Sequence, residues 1–211
     1  MKDLINRISW LGQATVKIKT GDKVLYVDPY MIDKEEKADY IFITHSHYDH
    51  FSIVDIKSIS KSNTVIYASY DCVPKLIDAG FQKVKGIIPG QSITDEGIEF
   101  ETTNAYNIRK TTFHPRGNRW MGYIFELEGC RIYHAGDTER IPEMKDFTCD
   151  IALLPLGQTY TMNSVEDAAQ SAIDVKAKVA IPIHYGIYEG TEEDALLFRK
   201  LLKNKVEVII K

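Results

Sequence analysis

From Thr44 to Phe51 the chain reads Thr-His-Ser-His-Tyr-Asp-His-Phe, so three imidazoles and one carboxylate fall within residues 45–50. They follow directly on Tyr40-Ile41-Phe42-Ile43, an apolar run of the length and β-branched or aromatic texture expected of a buried strand. Crowding that many polar groups at a strand's end costs stability unless an ion compensates for their desolvation. Imidazole and carboxylate are the ligands of Zn²⁺ and its first-row neighbours. His45 and His47, two apart in a loop, are able to converge on one ion, and the adjacent Asp49 and His50 on a second. This stretch therefore demands a fold in which a strand ends at a metal-binding mouth.

The pattern His-x-His-x-Asp-His after an apolar strand resembles the signature of the metallo-β-lactamase superfamily, and the likeness extends along almost the whole chain. Gly136-Asp137-Thr138, after Cys130-Arg131-Ile132-Tyr133-His134-Ala135, resembles the superfamily's later aspartate motif. Ile181-Pro182-Ile183-His184-Tyr185-Gly186 resembles its final histidine motif. Trp10-Leu11-Gly12-Gln13-Ala14-Thr15-Val16 and Val24-Leu25-Tyr26-Val27-Asp28-Pro29 resemble its opening strands. Within the superfamily the chain is most similar to small metal-dependent hydrolases related to ascorbate-phosphate lactonases and to the phospholipase D that cleaves N-acyl phosphatidylethanolamine. The resemblance implies an α+β fold, a four-layer αβ/βα sandwich with metals at one edge between two mixed β-sheets. Periodicity alone gives only a mixed α/β chain.

Two hundred and eleven residues, 44% of them hydrophobic, suffice for one substantial core, and no Pro/Gly/Ser-rich linker divides them, so one domain over residues 1–211 is expected. The formal charge of −4 supplies no global basic field and argues against nucleic acid as a partner. No run approaches the roughly 18 apolar residues of a membrane span, and the N-terminus Met1-Lys2-Asp3-Leu4-Ile5-Asn6-Arg7 has no long apolar core, so a cytoplasmic protein is expected. Cys72, Cys130 and Cys149 are far apart and odd in number, which suits reduced packing residues better than a disulfide framework or a thiolate zinc site. Nothing in the sequence speaks for or against pairing of subunits.

Taken in order, residues 8–19 show strand-like alternation and lead through Thr20 and a turn at Gly21-Asp22 into a strand at 24–27. Ser52 reads as the cap of a helix that pins the histidine loop from behind. Residues 64–68 read as a strand and 73–79 as a helix stopped at Gly80. From Val84 a run of short strands (84–88, 92–94, 97–103, 121–127, 131–134) suggests a second, meandering sheet. Strands are expected at 151–154, 179–183 and 206–210, and helices at 164–175 and 192–202. The succession β-rich, α/β, β-rich, α/β suggests a weak internal duplication.

Carried over by motif, one metal takes His45 and His47, the other Asp49, His50 and His184, with Asp137 between them. Zn²⁺, one or two per chain, is the expected ion, with Mn²⁺ or Fe²⁺ as alternatives. The superfamily's middle histidine has no counterpart at its usual place, where Asn107 stands, and His114 follows seven residues later. Either His114 swings in or that metal has one imidazole fewer. His134 beside the aspartate turn is a candidate to orient a ligand or touch substrate, and Asp49 a candidate proton acceptor as well as a ligand. Between Glu101 and Glu126 no acidic residue occurs, whereas Arg109, Lys110, Arg116 and Arg119 do. Guanidinium forks suit phosphate or carboxylate. Asn107, Arg116 and Arg119 are thus candidate contacts for a small anionic substrate. The expected reaction is hydrolysis of an ester, lactone or phosphodiester by a metal-bound hydroxide. The alternative is a metal- and ligand-binding sensor of the same fold without efficient turnover.

Overall fold

A computed structural model of residues 1–211 divides into units 1–88 and 89–211, and each unit is organised by one mixed β-sheet. No helix is long and apolar enough to cross a membrane.

In the first unit a short helix α1 (Lys2–Asn6) precedes β1 (Ile8–Gly12), β2 (Thr15–Thr20) and β3 (Lys23–Val27). Then come β4 (Tyr40–Ile43), α2 (Ile53–Ile59), β5 (Val65–Ser69), α3 (Val73–Asp78) and β6 (Val84–Ile87), and the strands lie in sequence order. The pairs β1–β2 and β2–β3 are antiparallel; β3–β4, β4–β5 and β5–β6 are parallel. The change of style follows from burial. Strand β2 alternates along much of its length, whereas every residue of β4 is buried, as a parallel strand covered on both faces requires. Ile56 and Ile59 of α2 and Leu76 of α3 join Ile41, Ile43 and Ile66 in one apolar cluster. Phe42 stacks on Tyr67 with ring centroids 5.6 Å apart. Ser52 caps α2 as expected, accepting from the amide of Asp55 at 3.3 Å.

The second unit contains β7 (Ser92–Asp95), β8 (Ile98–Asn104), β9 (Met121–Leu127), β10 (Cys130–His134) and β11 (Ile151–Pro155). It continues with α4 (Val165–Asp174), β12 (Val179–Ile183), α5 (Glu192–Leu202) and β13 (Glu207–Val208). The strand order again follows the chain, antiparallel from β7 to β10 and parallel from β10 to β13. Both sheets therefore begin as antiparallel meanders and end in parallel strands, the pattern the β-rich then α/β succession suggested. The closing strand is shorter than the expected 206–210. The amide of Val206 turns back to the carbonyl of Leu202, so regular pairing covers only Glu207 and Val208. Ser164 caps α4, and Thr191 with Asp194 closes a capping box on α5.

The basic loop after β8 is ordered by one carboxylate. Glu139, almost fully buried, accepts from the amides of Ile108 (3.0 Å), Arg109 (2.9 Å) and Lys110 (2.9 Å). Burial opposes its ionisation, but those amides and the Asn163 side chain outweigh burial and hold its pKa below the ordinary 4.5. Because the folded value lies below the unfolded one, the stabilisation is complete above about 4.5 and is lost as pH falls through the folded value. Glu139→Ala should cost about 2–4 kcal/mol in urea unfolding at neutral pH, since three buried amides lose their acceptor. The gap to wild type should narrow on acidification; a gap that stayed constant would contradict the assignment.

Candidate metal centre

In the first unit, parallel pairing of β3 with β4 brings Asp28 beside the start of the histidine loop. Val27 is opposite Phe42, and the amide of Asp28 donates to the Phe42 carbonyl at 2.9 Å. Asp28 is completely buried and adopts a positive φ of 47°. Its Oδ1 accepts from the Thr44 amide at 2.8 Å, and its Oδ2 accepts from the Thr44 hydroxyl at 2.6 Å. The same Oδ2 lies 2.8 Å from His50 Nδ1. A carboxylate only accepts, so Nδ1 of His50 carries the proton and Nε2 keeps its lone pair. The Thr44 hydroxyl, having spent its proton on Asp28, accepts from His45 Nδ1 at 2.8 Å, which leaves Nε2 of His45 as the donor atom for an ion. That Nε2 stands 2.9 Å from Nδ1 of His47.

Asp49 lies on the same loop, with Oδ2 3.7 Å from His50 Nε2. Gln13, buried and at φ 46°, donates its amide nitrogen to that Oδ2 at 2.8 Å. Trp10 ties the Gln13 carbonyl in turn at 2.7 Å. The role of Gln13, which the sequence leaves open, is thus to hold the Asp49 carboxylate. Within this unit the structure brings together all four predicted residues of the stretch, His45, His47, Asp49 and His50, and adds Asp28 as their anchor.

In the second unit the parallel ends of β10, β11 and β12 lie side by side and deliver three segments to one sheet edge. From β10 come His134 and the turn to Asp137, from β11 the loop 156–163, and from β12 His184. His184 has φ 57°, a left-handed conformation that costs energy for a residue with a Cβ and marks it as held by its surroundings. Its Nε2 is 3.2 Å from Asp137 Oδ1, and its Nδ1 is 3.0 Å from Glu189 Oε1. Burial opposes ionisation of Glu189, but the bond to His184, the charge of that ring and the Tyr160 amide prevail and lower its pKa. With Nδ1–H turned to Glu189, a neutral His184 faces Asp137 lone pair to lone pair. A shared cation relieves that opposition, as does a second proton. His114 is buried, its ring edge-on to Trp120 with centroids 4.4 Å apart, and one of its nitrogens lies within 4.8 Å of an Asp137 oxygen.

His134 behaves differently. Its Nδ1 accepts from the Gly136 amide at 3.2 Å, so this fully buried imidazole shapes the turn that carries Asp137. Asn107 is 1% exposed and its amide donates to the carbonyls of Tyr160 (2.7 Å) and Lys110 (3.3 Å), which makes it a tie between two loops. Of the basic island, Lys110 donates to the carbonyls of Gln158 and Met162, and Arg116 pairs with Glu143 at 3.0 Å while lying over the Tyr106 ring. Arg109 and Arg119 form no ion pair. The cysteines are buried free thiols; burial raises all three, Cys149 to about 12, which leaves no thiolate to ligate.

In each unit the donors are imidazole nitrogens and carboxylate oxygens, with His45 and His50 in the first and His184 in the second each facing an oxygen through Nδ1 and presenting Nε2. This fits a divalent metal. Residues 7–184 match the family described as the beta-lactamase superfamily domain. The chain belongs to that superfamily. Superfamily relatives include a UPF0173 metal-dependent hydrolase of Thermoplasma acidophilum, 33% identical over 208 residues, covering 92% of this chain and 90% of the relative. A UPF0173 metal-dependent hydrolase of Thermococcus onnurineus is 33% identical, covering 97% of this chain and 95% of its own. A crystal structure of a Parabacteroides distasonis protein matches with TM-score 0.87 and 35% identity, over 97% of this chain and 91% of that one. The fold of two mixed sheets flanked by helices is accordingly the metallo-β-lactamase fold, an α+β sandwich, and the chain is a member of a metal-dependent hydrolase family.

Asp28 had no signal in the sequence beyond standing before Pro29 at a strand's end, and Glu189 none beyond a turn bounded by Gly186 and Gly190. Asp28→Asn should lower the melting temperature by about 5–15 °C, because an amide cannot accept at both oxygens from Thr44 and His50. An unchanged melt would show that the buried carboxylate is not the anchor.

Proposed function

We propose that the protein hydrolyses an ester, lactone or phosphodiester bond of a small anionic molecule at a binuclear metal centre, with Zn²⁺ as the resident ion. In this reading His45, His47 and His114 would hold one ion and Asp49, His50 and His184 the other, with the Asp137 carboxylate available to both. The observation that carries it is the shared anchoring of His45, His50 and His184 through Nδ1, which directs three Nε2 lone pairs outward. The proximity of His114 to Asp137 supports His114 as the third imidazole of the first ion and favours turnover over a sensor without it.

When bound, divalent ions lower the pKa of water toward neutrality and polarise a carbonyl or phosphoryl oxygen. Asp49, with Oδ2 held by Gln13, orients the attacking water and takes its proton. His134 acts through the Gly136–Asp137 turn, fixing the carboxylate rather than meeting substrate. Arg119, like Arg109 without an ion pair, is a cation able to meet an anionic substrate, while Arg116 gives up Glu143 to do so and Asn107 keeps the loop in place.

Elemental analysis of protein purified without chelator should find two ions per chain, falling to one in His114→Ala. Hydrolysis of a generic phosphodiester or lactone should disappear with a chelator and return with Zn²⁺. Asp49→Asn should lower turnover by about 10²–10⁴-fold. A metal-free native protein, or activity indifferent to chelation, would overturn this reading.

A further inference from the structure

The loop after His184 folds back on it. The amide of Gly186 donates to the carbonyls of Glu189 (3.1 Å) and Gly190 (3.2 Å), and both glycines take positive φ, 86° and 65°. That tight return swings the Glu189 side chain inward, where its carboxylate is 1% exposed. Oε1 lies 3.0 Å from His184 Nδ1 and accepts from the Thr161 hydroxyl at 2.9 Å. Oε2 accepts from the amides of Thr159 (2.8 Å) and Tyr160 (2.6 Å). Three hydrogen-bond donors, with the His184 ring beside them at 3.0 Å, therefore converge on one buried carboxylate, which leaves it little need of water.

The approach is built into the opposite loop as well. A Cβ on Gly157 would stand 1.7 Å from Glu189 Cδ, so no other residue fits beside the carboxylate without displacing it. Tyr160, held by its amide, packs its half-exposed ring against Phe113 with centroids 5.0 Å apart. One side chain thus ties a histidine, a backbone turn and an aromatic pair.

We propose that Glu189 is a positioning residue that acts through His184: it holds the imidazole in the Nδ1–H tautomer, makes Nε2 a stronger metal ligand, and couples that ligand to the loop carrying Tyr160. The inference rests on the metal-centre reading for the affinity it predicts, but not for the tautomer. Glu189→Gln tests it because an amide has one acceptor oxygen. With the oxygen kept on the Thr159 and Tyr160 amides, the new NH₂ faces His184 Nδ1 and the Thr161 hydroxyl. Nδ1 must then accept, and the proton moves to Nε2, where it opposes metal binding.

Zinc affinity would be measured by competition with a chromophoric chelator, alongside the ¹⁵N shifts of the His184 ring in zinc-free protein above the ordinary titration range of imidazole. Wild type should show Nδ1–H. Glu189→Gln should show Nε2–H and bind zinc about 10–100-fold more weakly. Thr161→Val, which removes one hydroxyl bond and spares His184, should match wild type in both. An unchanged tautomer in Glu189→Gln overturns the inference, as does an equal loss of affinity in Thr161→Val, which marks a purely structural role. A wild type without zinc affinity overturns the metal-centre reading instead, and the tautomer result still decides the role of Glu189.

Discussion

A buried carboxylate that can only accept is the device on which the candidate centre depends. Imidazole is ambiguous: either nitrogen carries the proton, and the ring flips with little cost in water. Placing Asp28 against His50, and against His45 by way of Thr44, removes the ambiguity for two rings with one anion. Glu189 does the same for His184. Burying an anion is expensive, and each carboxylate is compensated by at least three donors. The order of the histidines is thereby coupled to the folding of the loops that supply those donors.

Parallel strands make such sets possible. Asp28 and Thr44 lie sixteen residues apart yet meet because β3 and β4 run side by side and end together. In the second unit β10, β11 and β12 do the same for Asp137, the 156–163 loop and His184. The backbone bears a cost for this: Gln13, Asp28 and His184 all take left-handed conformations that a Cβ disfavours by about 1–3 kcal/mol. Each of the three also contributes a side chain to a buried polar set within its own unit. Strain at those positions is sustained by the hydrogen bonds it aims, not by the turn it makes.

This separates what was legible in the sequence from what was not. The stretch 45–50, the aspartate turn and the final histidine are local patterns, and so are the strand runs and caps, all of which the chain displays within a few residues. The anchors are not local. Asp28 reads as a strand-ending Asp-Pro, Glu139 as an acid after an aspartate motif, and Glu189 as an acid in a glycine turn. Apart from His184, five residues before Glu189, their partners lie 22, about 30, and 29 or 30 residues away, and strand order brings them together. The closing strand β13 is shorter than its sequence texture for a related reason: Val206–Ile210 has strand texture, but the helix before it claims the first amide.

The proposed exchange between Asn107 and His114 has the same physical origin. A one-dimensional comparison treats a displacement of seven residues as the loss of a ligand. In the folded loop, however, the amide of Asn107 donates to the carbonyl of His114 at 2.8 Å, so the segment closes on itself and the two residues become neighbours. The amide of Glu139 binds the carbonyl of Tyr106, and its carboxylate gathers residues 108–110, which pins the start of that closed loop beside the aspartate turn. Asn107, its side chain committed to the carbonyls of Tyr160 and Lys110, closes the loop, while His114 brings an imidazole to Asp137 from the loop's other end. Position along the chain and position in the centre are decoupled wherever a loop is closed by its own hydrogen bonds, and a missing motif residue is then better sought at the far side of the closure than at the aligned site.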